Sequence, residues 1–289
     1  MASLKEVKTK ISGVKKTAQI TKAMNMVAAA KLRGAQEKME AFRPYASKFN
    51  EAMSNLSGGA NTTAFPLMEV RDVKSVEIVV VTSDRGLCGS FNANIIKRAL
   101  RMQAEYETSG KKVSFVCVGK KGSQILNKTG KVRKSYRDIM GAFQMFNARE
   151  IANDVASEFL SGATDMVEVL YGHFKSVAVQ VPAVAPLLPV QPVKGEAVAE
   201  KKFSGDYIYE PSSEEIMDVL QPLYLNVIVY HSMLEVGASE HAARMTAMDN
   251  ATNACKDMVK SLSIIYNKAR QAAVTSELMD IVGGAEALK

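Results

Sequence analysis

Cysteine is scarce in this chain. Cys88, Cys117 and Cys255 lie far apart and show no metal-like spacing, and one of the three must stay unpaired. That excludes a disulfide framework and argues for a reducing compartment. A membrane span is also missing. The longest uncharged run, Ser176–Val193, carries Pro182, Pro186, Pro189 and Pro192, which rule out one spanning helix. The opening MASLKEVKTK has no apolar signal core. Residues 1–24 are amphipathic and lysine-rich, as a transit peptide is, but a heptad register runs unbroken through them and argues against a leader.

Catalytic groups are equally sparse. His173, His231 and His241 form no metal spacing, and two of them fall on a helical seam where packing is the default. Ser83–Asn92 (SDRGLCGSFN) ends a strand and opens a helix, where phosphate loops lie. It lacks both the GxGxxG and the GxxxxGKS/T patterns, so a structural turn is the favoured reading, with phosphate binding as its rival. Cys88 has no base beside it in the sequence to make it a nucleophile. Methionine is plentiful and serves first as core filler; Met24, Met26, Met245 and Met248 also suit a surface that meets more than one partner geometry. No catalytic constellation stands out, so the expectation is a chain with no catalytic site, metal site or cofactor of its own.

What the sequence has in abundance is helical seam. Alternate steps of three and four from Leu4 to Leu56 meet fourteen apolar residues in sixteen positions, with Thr21 and Asn25 as the exceptions. Sustained over seven repeats, this predicts a coiled-coil helix. Such a helix is roughly 80 Å long at about 1.5 Å per residue, against roughly 38 Å for the diameter of a ~150-residue domain. It cannot be packed inside the protein's own globular part. Between Ala18 and Ala30 it is apolar almost all round, adding Ile20, Ala23, Met24, Met26, Val27, Ala29 and Ala30 to the seam, and so needs enclosure on every side. Pro44 falls on its outer face, and Ser57-Gly58-Gly59 stops it.

A polar linker is expected to about Asp72. Ser75–Thr82 (SVEIVVVT) reads as a buried strand, followed by a helix from Phe91 to Tyr106, a strand Val113–Val118, a short helix and an extended run Val132–Arg137. A helix near Ala148–Leu160 and a strand pair, Met166–Phe174 with Val177–Val184, complete an α/β domain of two or three layers. Ser212 with Glu215 is a capping-box pattern opening a second long helix to about Val282. Its seam runs from Val227 to Ser276 with the same period but less purity, and Ala242, Ala243, Ala247, Ala251 and Ala254 keep it thin.

The predicted fold class is α/β. A long antiparallel two-helix coiled coil is formed by residues 1–57 and 212–289, with a central α/β domain at 73–205. Packed side by side, the C-terminal helix overhangs the first by some twenty residues, or roughly 30 Å. That overhang, RQAAVTSELMDIVGGAEAL, is nearly half apolar and calls for an external socket. Charge is uneven too: residues 1–57 hold eleven Lys/Arg and four Asp/Glu, equal to the whole chain's net +7. A basic rod suggests an acidic partner or nucleic acid. The basic residues are interleaved with the seam and no aromatic stacking set accompanies them, so nucleic acid is not the expected partner. A tether with a coiled-coil stalk and a nucleotide-binding enzyme are the rival readings of the same pattern.

Six stretches resemble the gamma subunit family of rotary, F-type ATP synthases of bacterial type. They are ITKAMNMVAAAKL (20–32), RPYA (43–46), TSDRGLCGSFN (82–92), YIYEP (207–211), EHAARMTAMDNAT (240–252) and YNKARQAAVTSEL (266–278). They occur in the family's order along essentially the whole chain. The resemblance implies a non-catalytic rotor shaft that couples ion flow through a membrane rotor ring to ATP synthesis and hydrolysis. Its implied partners are the catalytic and non-catalytic nucleotide-binding subunits of a hexamer, a small epsilon-type regulatory subunit and the membrane ring, with no insertion into the bilayer. By the same resemblance Met24, Arg270, Gln271 and Thr275 touch the hexamer, and Tyr207, Tyr209 and Glu210 touch the ring. The implied location is peripheral, on the cytoplasmic face of a bacterial plasma (inner) membrane. No cysteine lies between Val118 and Ala254, where chloroplast members carry a pair, so no thiol switch is expected. The family's central domain is variable, and contacts from residues 110–200 do not carry over.

Overall fold

The first strand, β1 (Ser75–Val81), is buried along all but its first residue, as expected of a β-branched run with neighbours on both edges and layers on both faces. The structure, a computed structural model, describes residues 4–57, 65–190 and 212–286. Around β1, the chain adds α2 (Phe91–Thr108), β2 (Lys112–Val118), α3 (Lys120–Leu126), β3 (Val132–Tyr136), α4 (Met145–Leu160), β4 (Met166–Phe174) and β5 (Gln180–Leu188). The flanking helices are α1 (Leu4–Ser57) and α5 (Ser213–Glu286). The sheet order is β3-β2-β1-β4-β5, with β5 alone antiparallel.

Side-chain parity sorts the layers. Glu168 of β4 meets Tyr106 of α2, and a Cβ on Gly172 would come within 2.4 Å of the Phe91 ring, so the even positions of β4 face α2. Odd positions face the other way: His173 meets Glu235 of α5, and Glu77 of β1 meets Arg133, which also binds Asp154 of α4. Right-handed crossovers put α2 and α3 together on the first face and α4 on the second. Three layers result, with the sheet in the middle.

Two compact units emerge from the packing. One joins Met1–Ala29 to Arg244–Lys289, and the other is Ala30–Ala243. In the larger unit, the α5 stretch from Ser232 to Glu240 is buried throughout. There it has two neighbours, α1 on one side and the sheet on the other. Phe42 of α1 meets Tyr230 edge-on at 5.0 Å. Ser239 Oγ donates to the Gly172 carbonyl at 3.0 Å, and Glu235 accepts the Phe174 N–H at 2.7 Å. Glu235 and Ser239, buried polar residues beside the α5 seam, therefore serve as fasteners to β4.

The structure corrects several expectations. The supposed polar linker to Asp72 contains a 3-10 turn, Pro66–Met68, whose Leu67 and Met68 are buried beside Phe65. Three apolar residues within four positions, packed against α4, explain it. Strand β5 runs Gln180–Leu188 and not Val177–Val184, because Ser176 and Val179 close the turn by mutual backbone hydrogen bonds. Its prolines are compatible with an edge strand, where missing donors cost no ladder bonds. The seam of α1, expected to bury Ile11 and Val14 against the C-terminal helix, closes unequally: those two are half-buried, whereas Val7, Ala28 and Leu32 close fully.

Candidate interaction site on the paired helices

In the smaller unit, α1 and α5 pack by the seam. Every seam position of α1 from Leu4 to Ala28 is at least half-buried, and on α5 the same holds from Met245 to Ala273. Their antiparallel register is pinned by polar contacts at the two exceptions: Thr21 Oγ1 lies 2.7 Å from Thr252 Oγ1, and Asn25 Nδ2 donates to the Met245 carbonyl at 2.8 Å.

Outside the seam the apolar surplus is uncovered. Ile20, Met26 and Val27 are 60%, 59% and 57% exposed. Large apolar residues do not sit in water at this density on a lone helix pair without a further partner. On the same helix, Lys8, Lys10, Lys15, Lys16, Lys22, Lys31 and Arg33 are all exposed, and no acidic residue occurs between Glu6 and Glu37. The apolar side chains thus lie on a stretch of helix whose charged residues are all basic. Beyond Ala273 every described residue to Ala285 is exposed, including Val274, Leu278, Met279, Ile281 and Val282.

Among the residues marked from sequence, Met24 is half-buried, while Arg270, Gln271 and Thr275 are exposed. Gln271 and Thr275 stand one turn apart, with the Thr275 hydroxyl donating to the Gln271 carbonyl at 2.9 Å. Met24 lies on α1 and the other three lie near the end of α5, so they form two separate levels of one unit. Tyr207, Tyr209 and Glu210 lie outside the described residues.

The 83–92 turn spends its polar groups internally. The Asp84 carboxylate accepts the backbone N–H groups of Lys120 (2.8 Å), Asp138 (3.0 Å) and Met140 (2.8 Å). Asn92 accepts the Ser83 N–H at 3.0 Å and donates to Ser83 Oγ at 2.7 Å, while Ser83 Oγ donates to the Arg85 carbonyl at 2.7 Å. Gly119 passes so close to Thr82 that a Cβ there would lie 2.1 Å from the Thr82 carbonyl oxygen. The loop holds three connections at the end of the sheet, which is the structural reading of the motif. Sequence reasoning missed Asp84 as their hub, although an Asp directly after a buried strand is the available signal. It also passed over Glu77, a carboxylate in the middle of β1. Burial pushes the Glu77 carboxyl up, and Arg133, at 2.6 Å, opposes that shift.

Among the described residues no group of three or more His, Cys, Asp or Glu could hold a metal ion, and no helix is long and apolar enough to cross a membrane.

Comparison with known proteins agrees with this architecture. A family model described as ATP synthase matches residues 3–288. The ATP synthase gamma chain of Desulfotalea psychrophila is 73% identical over 290 residues, covering 100% of both chains. That of Nitratidesulfovibrio vulgaris (strain Miyazaki F) is 52% identical over 292 residues, again covering 100% of both. A chain from the central stalk and c-ring of the Tetrahymena thermophila mitochondrial ATP synthase aligns with a TM-score of 0.61 at 30% identity, covering 80% of this chain and 99% of that one. A chain from the Euglena gracilis mitochondrial ATP synthase has a TM-score of 0.69 at 21% identity, covering 99% and 94%, and shows the shared fold. With a family model spanning nearly the whole chain and full-length relatives above half identity, the chain belongs to the gamma-chain family of F-type ATP synthases, the central-stalk rotor subunits.

Proposed function

We propose that this chain is the shaft of its complex in the mechanical sense, turning inside a ring of nucleotide-binding subunits and having no catalytic site of its own. The observation that carries the reading is the bare end of α5: from Val274 to Ala285 all residues are exposed, five large apolar ones among them. An apolar tip on a helix that has outrun its partner suits an apolar bearing. The exposed Ile20, Met26 and Val27 inside a lysine-bearing surface suit levers with acidic loops. One chain inside a ring of repeated subunits cannot make equivalent contacts with all of them. It favours a different conformation in each, and cycling those conformations requires it to turn.

In this reading residues 1–57 and 212–289 form the shaft, and residues 73–205 form a domain beside the epsilon-type subunit and the membrane ring. Met24 meets the catalytic levers, Arg270, Gln271 and Thr275 meet the bearing, and Tyr207, Tyr209 and Glu210 meet the ring. The ring partner is supported by the Tetrahymena neighbour, which is a central stalk solved with its c-ring. The complex would lie on the cytoplasmic face of a bacterial inner membrane, with no insertion of this chain into the bilayer.

A disulfide tie tests the motion. With the native Cys255 replaced, a cysteine at Met24 is paired with one in the surrounding subunit of the assembled complex. Oxidation is expected to abolish coupled ATP turnover and reduction to restore it. A tie at Ala273 is expected to inhibit less, because a single helix can twist below it. Full turnover with the Met24-level crosslink complete overturns the rotor reading and leaves a static stalk.

A further inference from the structure

Outside the first 57 residues the chain is neutral as a whole, but that neutrality conceals a strong separation. Residues 85–137 hold thirteen Lys/Arg against two Asp/Glu, a net +11 in a chain whose total is +7. Some of these cations are spent inside the fold. Arg98 pairs with Glu105, Lys131 with Glu107 and Lys120 with Asp138, while Arg133 and Lys134 reach Asp154 on the opposite face. Arg85, Lys97, Arg101, Lys121 and Lys128 have no carboxylate partner among the described residues, and all but the half-buried Lys121 are exposed.

These five share one layer. Ile95, Ile96, Ala99 and Met102 turn α2 toward the sheet, which leaves Lys97 and Arg101, one turn apart, on its outer side. Lys121 lies on α3, which packs beside α2, and its Cε would be 3.5 Å from a Cβ built on Gly86, next to Arg85. Lys128 follows in the turn after α3. Leu87, Leu100 and Ile125 are exposed among them, whereas Phe91 is buried and Tyr106 half-buried.

We propose that this α2–α3 face is an electrostatic docking surface for anionic phospholipid headgroups. Like charges held together without counterions cost stability, and their attraction to an anionic surface offsets that cost. Packed protein interfaces favour aromatic residues and arginine and are depleted in lysine. This face has three lysines, two arginines, scattered aliphatics and no exposed aromatic ring, which suits a diffuse layer of lipid phosphates. A headgroup layer imposes no register, so the attraction is compatible with a chain that turns. The proposal rests on charge placement alone and does not depend on the rotor reading.

Amine labelling of the assembled complex reads this surface residue by residue. The complex is reconstituted into vesicles of phosphatidylcholine alone or with added phosphatidylglycerol, treated with a water-soluble acylating reagent, and analysed by mass spectrometry. Lys97, Lys121 and Lys128 are expected to label several-fold less in the anionic vesicles and to recover at high salt, which screens exposed charges. Lys8, Lys15 and Lys16 of α1 serve as the internal reference and are expected to label alike in both lipids. Equal labelling of the α2–α3 lysines in both lipids overturns the proposal. So does protection already present in neutral vesicles and in detergent, which would assign the face to an acidic protein surface. Full turnover with the Met24-level crosslink complete, alongside this labelling pattern, would count against the rotor reading only.

Discussion

Thr21 Oγ1 and Thr252 Oγ1 sit 2.7 Å apart inside a mostly apolar seam, joining residues 231 positions apart in the chain. The Thr252 hydroxyl is also 2.8 Å from the Met248 carbonyl, and that of Thr21 is 3.1 Å from the Ala18 carbonyl. Two protons serve three contacts, so one contact is without a proton at any instant. A polar pair at seam positions fixes register because a slipped register would leave both groups buried against hydrocarbon.

Replacing Thr21 with Val keeps the shape and removes one hydroxyl, and Thr252 can still donate to Met248. The expected loss is about 1 kcal/mol, with the Thr21→Val/Thr252→Val double variant losing less than the sum of the singles. Thermal melting of the full chain in a double-mutant cycle measures it. Additive losses would remove the pair from the account of register.

Seam burial is graded, and an introduced charge should report the gradient. Ile11→Asp is expected to cost about 1–2 kcal/mol, because the half-buried position leaves the carboxylate partly hydrated. Leu32→Asp, at a closed position, is expected to cost about 3 kcal/mol or more. Equal urea midpoints for the two variants would contradict the observed packing.

Asp84 and Ser90 lie in the same turn and should behave oppositely. Asp84→Ala strands three backbone N–H groups and is expected to destabilise the central domain by about 3 kcal/mol. Ser90→Ala removes only an exposed 3.3 Å contact from Asn94 and is expected to change stability by less than about 0.5 kcal/mol. It should also leave nucleotide handling of the assembly intact. Loss of nucleotide affinity in Ser90→Ala with the fold preserved would revive the phosphate-loop reading.

Acid should loosen the contact between α5 and the sheet. Burial pushes the His231 imidazole down from its usual value of 6.5; the Glu235 carboxylate opposes this, and Arg43 and His173 add to it. A lowered folded-state value means that the unfolded chain takes up the proton first, so this stability is complete above pH 6.5 and declines as pH falls below it toward the folded value. His231→Gln is expected to flatten that part of the stability profile, read as the urea midpoint against pH. An unchanged slope would exclude His231 as its source.

Much of the shaft was legible without coordinates. The period of Leu4–Leu56 sets which face of α1 is buried, since a three-four spacing can close only one stripe against a neighbouring helix. The two interruptions, Thr21 and Asn25, were visible as exceptions, but their partners were not, because a seam pattern on each helix leaves the register between helices open. Beside the seam of α5, Glu235 and Ser239 look out of place on a buried helix until β4 is seen to lie against them, Glu235 accepting from the Phe174 N–H and Ser239 donating to the Gly172 carbonyl.

The sequence by itself determined the elements, their order and the surplus of apolar surface on two helices, because these follow from local periodicity and from charge counted along the chain. Only the tertiary structure decided what meets across distance. It made Asp84 the tie between three loops, drew Phe65, Leu67 and Met68 into the core, and separated the cations of α2 and α3 from the carboxylates of α4. Hydrogen bonds and ion pairs between residues tens or hundreds of positions apart depend on which faces the folded chain turns toward one another, and no local pattern encodes that choice.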